Sequence, residues 1–131
     1  MKKRILLFFI IITCISSCYD IAYVGIADRY MGTFRSREPI FGSGYDKYLY
    51  VNVKSGGVII YFGGENDTDI TGVPGYDRIE YINFIGDGSV YNFSNNDYVG
   101  KLVFRSDNQV EVTIKGQGII NHDNAVCDKI N

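Results

Sequence analysis

The chain has 131 residues, which suits one domain with a modest hydrophobic core. Its formal net charge is −2, and three of its 13 Lys and Arg stand together at Lys2-Lys3-Arg4, so the rest of the chain is more acidic still. This balance argues against a nucleic-acid partner. The composition includes 15 Gly and 11 Tyr and is poor in Ala and Leu, which favours strands and turns over helices.

The N-terminal residues have the three-part layout of a secretory signal. Basic Lys2-Lys3-Arg4 precedes an uninterrupted apolar block from Ile5 to Ile12, and small polar residues follow. The apolar block is too short to cross a bilayer as a helix. It is followed by Ile15-Ser16-Ser17-Cys18, in which an apolar residue stands three positions before a cysteine with two small residues between them.

The stretch Ile15-Ser16-Ser17-Cys18 resembles the lipobox of bacterial lipoproteins, with Ile in place of the commoner Leu and Ser17 in place of Gly or Ala. The resemblance implies that Cys18 is acylated and becomes the first mature residue. Two or more acyl chains would hold it stably in a membrane of the bacterial cell envelope, on the periplasmic or the surface-exposed side. The alternative is an ordinary secreted protein that is cut nearby, with Cys18 free to pair with Cys127. We predict a signal peptide over 1–17, a lipid-anchored segment over 18–29 and one domain over 30–131.

Period-2 alternation of apolar and polar residues predicts about eight strands. The predicted strands cover residues 30–37, 47–54, 58–62, 77–85, 89–93, 98–105, 110–115 and 119–120. The strand at 58–62 is apolar on both faces, which indicates a central place in the sheet or cover by another segment. The tail at 121–131 has no clear period and is interpreted as polar and solvated.

Short strands joined mostly by tight turns predict an all-β antiparallel meander that closes into a small β-barrel, with a β-sandwich as the alternative. Closure would remove the exposed edges of the sheet. An eight-strand barrel is either filled by side chains or just wide enough for one small ligand. The opening Tyr30-Met31-Gly32-Thr33-Phe34, followed by this meander, resembles the first strand of lipocalin-like (calycin-type) lipoproteins.

Catalytic and metal-binding patterns are weak, so no catalytic residue and no cofactor are assigned. The single His, His122, lies in the polar tail without a nearby nucleophile motif, and Cys127 and Asp128 do not complete a zinc ligand set with it. Glu65, Asp67 and Asp69 alternate in the longest loop, a spacing that calcium can use. The loop lacks the other EF-hand ligands, so the alternative is a solvated acidic loop.

Tyrosines are the candidate binding residues, because a tyrosine has an apolar body and a polar tip. Tyr48 and Tyr50 fall on the strand face opposite Leu49, Val51 and Val53, and Tyr61 and Tyr91 lie on other strands. If the sheet closes around the tyrosines, they line a cavity for a small apolar ligand. If the Leu and Val row fills the interior, they form an outward patch that faces a protein. The alternative is that cross-strand tyrosines only stabilise the sheet.

These observations predict a lipid-anchored cell-envelope lipoprotein that acts as a non-enzymatic binding or interaction module. Its partner would be a small apolar ligand or another envelope protein, in addition to the membrane. The first alternative is an envelope structural or inhibitor protein that recognises another protein. The second is an enzyme, which would require a cluster of polar residues that the sequence does not display.

Overall fold

A computed structural model of the protein describes residues 25–40, 47–54, 57–69, 71, 73, 78–79, 83–116 and 121–131. Cys18 and the predicted signal peptide lie outside these ranges, as does the predicted strand at 119–120. Within the described ranges the protein is all-β, without α-helix, and a short 3-10 turn at Asp28–Tyr30 leads into the first strand. The predicted all-β fold class is confirmed.

Nine strands form one antiparallel sheet that curls into a half-barrel. They are β1 (Gly32–Ser36), β2 (Tyr48–Lys54), β3 (Gly57–Gly63), β4 (Arg78–Ile79), β5 (Asn83–Asp87), β6 (Val90–Ser94), β7 (Tyr98–Ser106), β8 (Gln109–Gly116) and β9 (Asn121–Lys129). Their order across the sheet is β4-β3-β2-β1-β9-β8-β7-β6-β5. Strands that are consecutive in the chain are therefore neighbours, except β4 and β5, and the first strand pairs with the last.

The two edge strands, β4 and β5, run in the same sense. Every pair in the nine-strand order is antiparallel, so the direction alternates and the first and last strands of the order agree. β4 ends at Ile79 and β5 begins at Asn83. Together they correspond to the single predicted strand at 77–85, whose first part pairs with β3 and whose second part pairs with β6. This change of partner divides one predicted strand into two. β9 is a further strand that was not predicted, so the nine strands do not correspond one to one with the predicted ones.

The strands alternate between two ends of the sheet. β1 begins and β9 finishes at one end, here called the N-terminal end, where the N–H of Thr33 donates to the backbone oxygen of Asn131 at 3.2 Å. The Asp107–Asn108 turn lies at this end, and Arg29 Nε is 3.9 Å from Asp107 Oδ1. At the opposite end, here called the far end, β1 finishes and β9 begins.

The core fills the inner face of the curled sheet, with contributions from every strand. The alternating rows Leu49, Val51, Val53 and Val110, Val112, Ile114 point into it, as their period predicts. Phe104 lies among three other rings: Tyr30 stacks on it with centroids 4.0 Å apart, and Phe34 and Tyr91 meet it edge-on at 5.8 and 6.0 Å. Rings in these arrangements attract each other beyond simple burial.

The C-terminal residues form a nine-residue strand, so the interpretation of 121–131 as a solvated tail was wrong. β9 pairs with β1 on one side and β8 on the other. Its Ala125 and Cys127 point into the core, but a β-bulge opposite Thr113 breaks the alternation in the sequence. Cys127 is fully buried as a free thiol, and burial raises its pKa to about 12.

Candidate functional site

The structure separates the four candidate tyrosines into two groups. Tyr48, Tyr50 and Tyr61 lie on the outer face of the sheet, and Tyr50 stands directly opposite Tyr61 with parallel rings 4.7 Å apart. Tyr91 points into the core, where its hydroxyl donates to the Gly88 oxygen at 2.9 Å. Because the Leu49 row fills the interior, the four tyrosines do not line one cavity.

The acidic loop that follows β3 covers the outer tyrosines. The Tyr50 hydroxyl lies 2.5 Å from the Gly64 oxygen and 3.0 Å from the Glu65 oxygen, and the Tyr61 hydroxyl donates to Asp67 O at 3.2 Å. Arg35 adds a 2.6 Å hydrogen bond to the Glu65 oxygen. The described part of this loop therefore hides Tyr50 and Tyr61, and only Tyr48 of the three is half-buried. The strand at 58–62 was predicted either to be central in the sheet or to lie beneath another segment, and at Tyr61 the structure shows the second alternative.

Both hydroxyls are protonated at neutral pH and can donate to the loop, and burial raises their pKa further. Removal from water is the largest cause that raises the pKa of Tyr61 to about 12, and it also raises the pKa of Tyr50. Neutral tyrosines can donate hydrogen bonds to carbonyl oxygens, whereas tyrosinates cannot. The outer tyrosines therefore fasten the loop at neutral pH.

Two of the three acidic residues of the loop accept hydrogen bonds from the loop itself, and the third is exposed to solvent. An Asp67 carboxylate oxygen accepts the Gly64 N–H at 2.6 Å, and an Asp69 oxygen accepts both the N–H and the hydroxyl of Thr71. The Thr71 hydroxyl is the main cause that lowers the pKa of Asp69. Glu65 is exposed. Among the described residues no group of three or more His, Cys, Asp or Glu gathers as a metal site, so the calcium hypothesis gains no support.

A cleft of about 290 Å³ lies at the far end of the sheet, between the chain after β1 and the first half of β9. Its lining combines charged and polar side chains with apolar ones: Ser36, Arg37, Glu38, Pro39, Ile40, His122, Asn124, Ala125 and Val126. His122 is half-buried here and pairs with Ile114 of β8. The structure thus places the single His in a formed cleft, whereas the sequence indicated a solvated tail.

A strained residue shapes one wall of the cleft. Asn124 has φ 53, and it is the one non-glycine residue with positive φ among the described positions. It lies in the β9 bulge, where its N–H donates to the Thr113 hydroxyl at 3.2 Å. Left-handed backbone costs a non-glycine residue free energy and is concentrated at functional sites. Bulges likewise re-aim side chains next to binding sites.

The opposite wall is fastened to β2 and β9. The Ser36 hydroxyl donates to the Glu38 oxygen at 2.8 Å and accepts the Leu49 N–H at 3.0 Å. Arg37 makes a two-pronged ion pair with Asp128, at 2.6 and 3.0 Å. This hydrogen-bonded pair lowers the pKa of the Asp128 carboxyl and raises the pKa of Arg37. The Ser36 hydroxyl therefore has one hydrogen-bond partner as a donor and one as an acceptor, and it joins this wall to β2.

Comparison of the chain with protein-family models, with curated proteins and with solved structures found no match. A search of the described residues for a helix of the length and apolarity needed to span a bilayer finds none.

Proposed function

We propose that this protein is a lipid-anchored, non-enzymatic interaction module of the bacterial cell envelope, and that it binds another envelope protein through the far-end cleft. The observation that carries the proposal is the separation of two features. The described chain leads through Asp28–Tyr30 into β1 at the N-terminal end of the sheet, and the cleft lies at the far end. An anchored binding module needs this arrangement, because its site must be clear of the tether.

The length of the tether supports the proposal. Six residues separate Cys18 from Gly25, and a fully extended chain covers at most about 25 Å over that interval. The nine residues of β7 extend over about 30 Å, from the far end to the N-terminal end. An acylated Cys18 would therefore hold the N-terminal end close to the bilayer, while the cleft is one strand length further along the domain.

The filled interior favours a protein partner over a small apolar ligand. Aromatic and aliphatic side chains from all nine strands occupy the inner face, where a lipocalin-like ligand would bind. The lining of the far-end cleft mixes Arg37, Glu38 and His122 with Pro39 and Ile40. Such a lining suits a short protein segment that carries both polar and apolar groups. An inhibitor that recognises another envelope protein would use the same surface.

Two measurements test the proposal. Mass spectrometry of the mature protein should find an acylated Cys18, and Cys18→Ser should release the protein from membranes. A photo-crosslinking residue at exposed Glu38, beside the cleft, should then capture a discrete protein in intact cells. The same residue at exposed Asp107, at the N-terminal end, is the matched control. An unmodified Cys18, or equal capture from both positions, would contradict the proposal.

A further inference from the structure

The β5 strand is an edge of the described sheet and carries an exposed apolar side chain. Its ladder partner is β6, and in the described part of the chain no strand pairs with its other side. Ile85, at the middle of β5, is 68% exposed. Edges of this kind are templates for another strand, and proteins that prevent pairing place charges, prolines or bulges there. The central residues of β5, Phe84, Ile85 and Gly86, include none of these.

A hydrogen bond next to the β6 strand shows which backbone groups of β5 face outward. The N–H of Phe104 donates to the oxygen of Ser89 at 2.8 Å, so the odd-numbered residues of β6 bond with β7. Successive residues of a strand direct their backbone groups to opposite sides. The even-numbered residues of β6 therefore bond with the odd-numbered residues of β5. Phe84 and Gly86 direct their N–H and C=O groups to the open edge.

This spacing makes the edge complementary to itself. In antiparallel pairing, hydrogen-bonded positions alternate with positions that are not hydrogen-bonded. When two β5 strands meet with Ile85 at the centre, Phe84 of each faces the partner's Gly86 as a hydrogen-bonded pair. Phe84 points to the inner face, and Gly86 has no side chain to oppose it. An aromatic residue opposite a glycine is a favourable cross-strand pair, because the ring covers the bare backbone.

We infer that two copies of this chain pair through β5 into one continuous antiparallel sheet, with Ile85 opposite the partner's Ile85. The two-fold symmetric contact buries the exposed isoleucines against each other on the outer face and satisfies the outward groups of Phe84 and Gly86 in both copies. A second copy fits this edge because the two outward positions, Phe84 and Gly86, oppose each other across the two-fold axis, so that one surface is complementary to itself as a closed dimer interface requires. A membrane anchor strengthens the pairing by concentrating the copies.

Charge substitution at Ile85 tests the inference with the full-length mature protein in detergent micelles. Analytical ultracentrifugation should find a dimer for the wild type. Ile85→Lys and Ile85→Asp should each weaken dimerisation about tenfold or more, because like charges would stand directly opposite each other. An equimolar mixture of the two variants should dimerise again, since Lys then faces Asp. Both variants should fold normally, because the side chain is mostly exposed.

Val99→Lys is the matched control, since Val99 is 54% exposed on the outer face but lies on β7, away from the edge. Its dimerisation should equal that of the wild type. A wild type that stays monomeric at all concentrations overturns the inference. The β5 edge would then be open to pairing with a strand of a different protein. Equal loss in Val99→Lys and Ile85→Lys also overturns it, because the contact would then be face to face.

Disulfide trapping tests the register. Directly opposite positions that are not hydrogen-bonded have Cα atoms about 4.5 Å apart, which lies within disulfide range. Ile85→Cys should therefore form a covalent dimer under mild oxidation. Asp87→Cys should not, because the two cysteines would lie about 13 Å apart along the strands. The wild type carries the same Cys18 and Cys127 and controls for them. Equal crosslinking of both variants would contradict the register.

Discussion

Tyr50 and Tyr61 stand opposite each other on adjacent strands, with ring centroids 4.7 Å apart and planes within 3°. Both hydroxyls reach backbone oxygens of the loop that begins at Gly64. The pair therefore joins the sheet to the acidic loop through neutral donors. Since both residues are fully buried on the side away from the main core, they form a second, smaller apolar cluster with Val73.

Removal of one of these hydroxyls should loosen the loop. Tyr50→Phe leaves the Gly64 and Glu65 oxygens without this donor, and we expect a loss of about 0.5–1.5 kcal/mol in the free energy of unfolding. Urea denaturation measures the loss, and a glutamate-specific protease should cleave faster at Glu65. Tyr91→Phe is the control, because it removes a hydroxyl that bonds to Gly88, outside the acidic loop. Faster cleavage at Glu65 in both variants would contradict this role for Tyr50.

The double substitution Tyr48→Ala with Tyr50→Ala distinguishes an exposed binding patch from tyrosines that stabilise the fold. An exposed binding patch would tolerate it, but Tyr50 is fully buried. Truncation of a buried aromatic residue costs about 3–5 kcal/mol, so we expect a loss like that of Val51→Ala or greater. Thermal melting of both variants decides between the two expectations. A double variant that melts like the wild type would support the hypothesis of an exposed binding patch.

Neighbouring residues of β8 should differ in their importance for stability. Ile114 is fully buried, and Ile114→Ala should cost about 2–5 kcal/mol. Thr113 is half-buried on the other face and accepts the Asn124 N–H, so Thr113→Ala should cost about 0.5–1.5 kcal/mol. Chemical denaturation compares the two. Equal losses would show that the register of β8 is wrong.

The positive φ of Asn124 predicts a difference in stability between its Gly and Ala variants. Asn124→Ala should destabilise the protein by about 1–2 kcal/mol relative to Asn124→Gly, because only glycine adopts the left-handed region without steric cost. Thermal denaturation measures the difference. If alanine and glycine have the same effect, the bulge does not hold this conformation in solution.

The ion pair between Arg37 and Asp128 should make the free energy of unfolding depend on pH in the acidic range. Its hydrogen bonds lower the folded-state pKa of Asp128 below the ordinary 3.8. A lowered carboxyl pKa contributes stability above the ordinary value, and the contribution is lost as the pH falls through the folded-state value. Arg37→Ala should therefore be less stable than the wild type at pH 7, and the two should converge well below pH 3.8. A constant difference at all pH values would show that packing, and not charge, is responsible.

Burial should make Cys127 inert in the folded protein. Its pKa of about 12 leaves almost no thiolate at pH 8, and the thiolate is the reactive form. Iodoacetamide should label Cys127 only after unfolding in urea, as peptide mass spectrometry can show. Rapid labelling of the native protein would indicate that β9 opens readily.

The sequence by itself determined the strands whose two faces differ. The rows Leu49, Val51, Val53 and Val110, Val112, Ile114 alternate strictly with polar residues, so their period predicts both the strand and the buried face. It also indicated that the strand at 58–62 would be either central in the sheet or covered by another segment, because apolar residues occupy both of its faces. The alternation is local, because successive side chains of a strand point to opposite faces whichever strands pair with it.

Only the tertiary structure decided the role of β9, the cover over the tyrosines and the cleft. The bulge at Asn124 interrupts the alternation of β9, and the strand is stable because β1 and β8 supply hydrogen bonds on both sides. Tyr50 and Tyr61 are hidden by a loop whose carbonyl oxygens carry no sequence signal. His122 reaches a cleft wall because the last strand of the chain pairs with the first, a contact between residues that are distant in sequence.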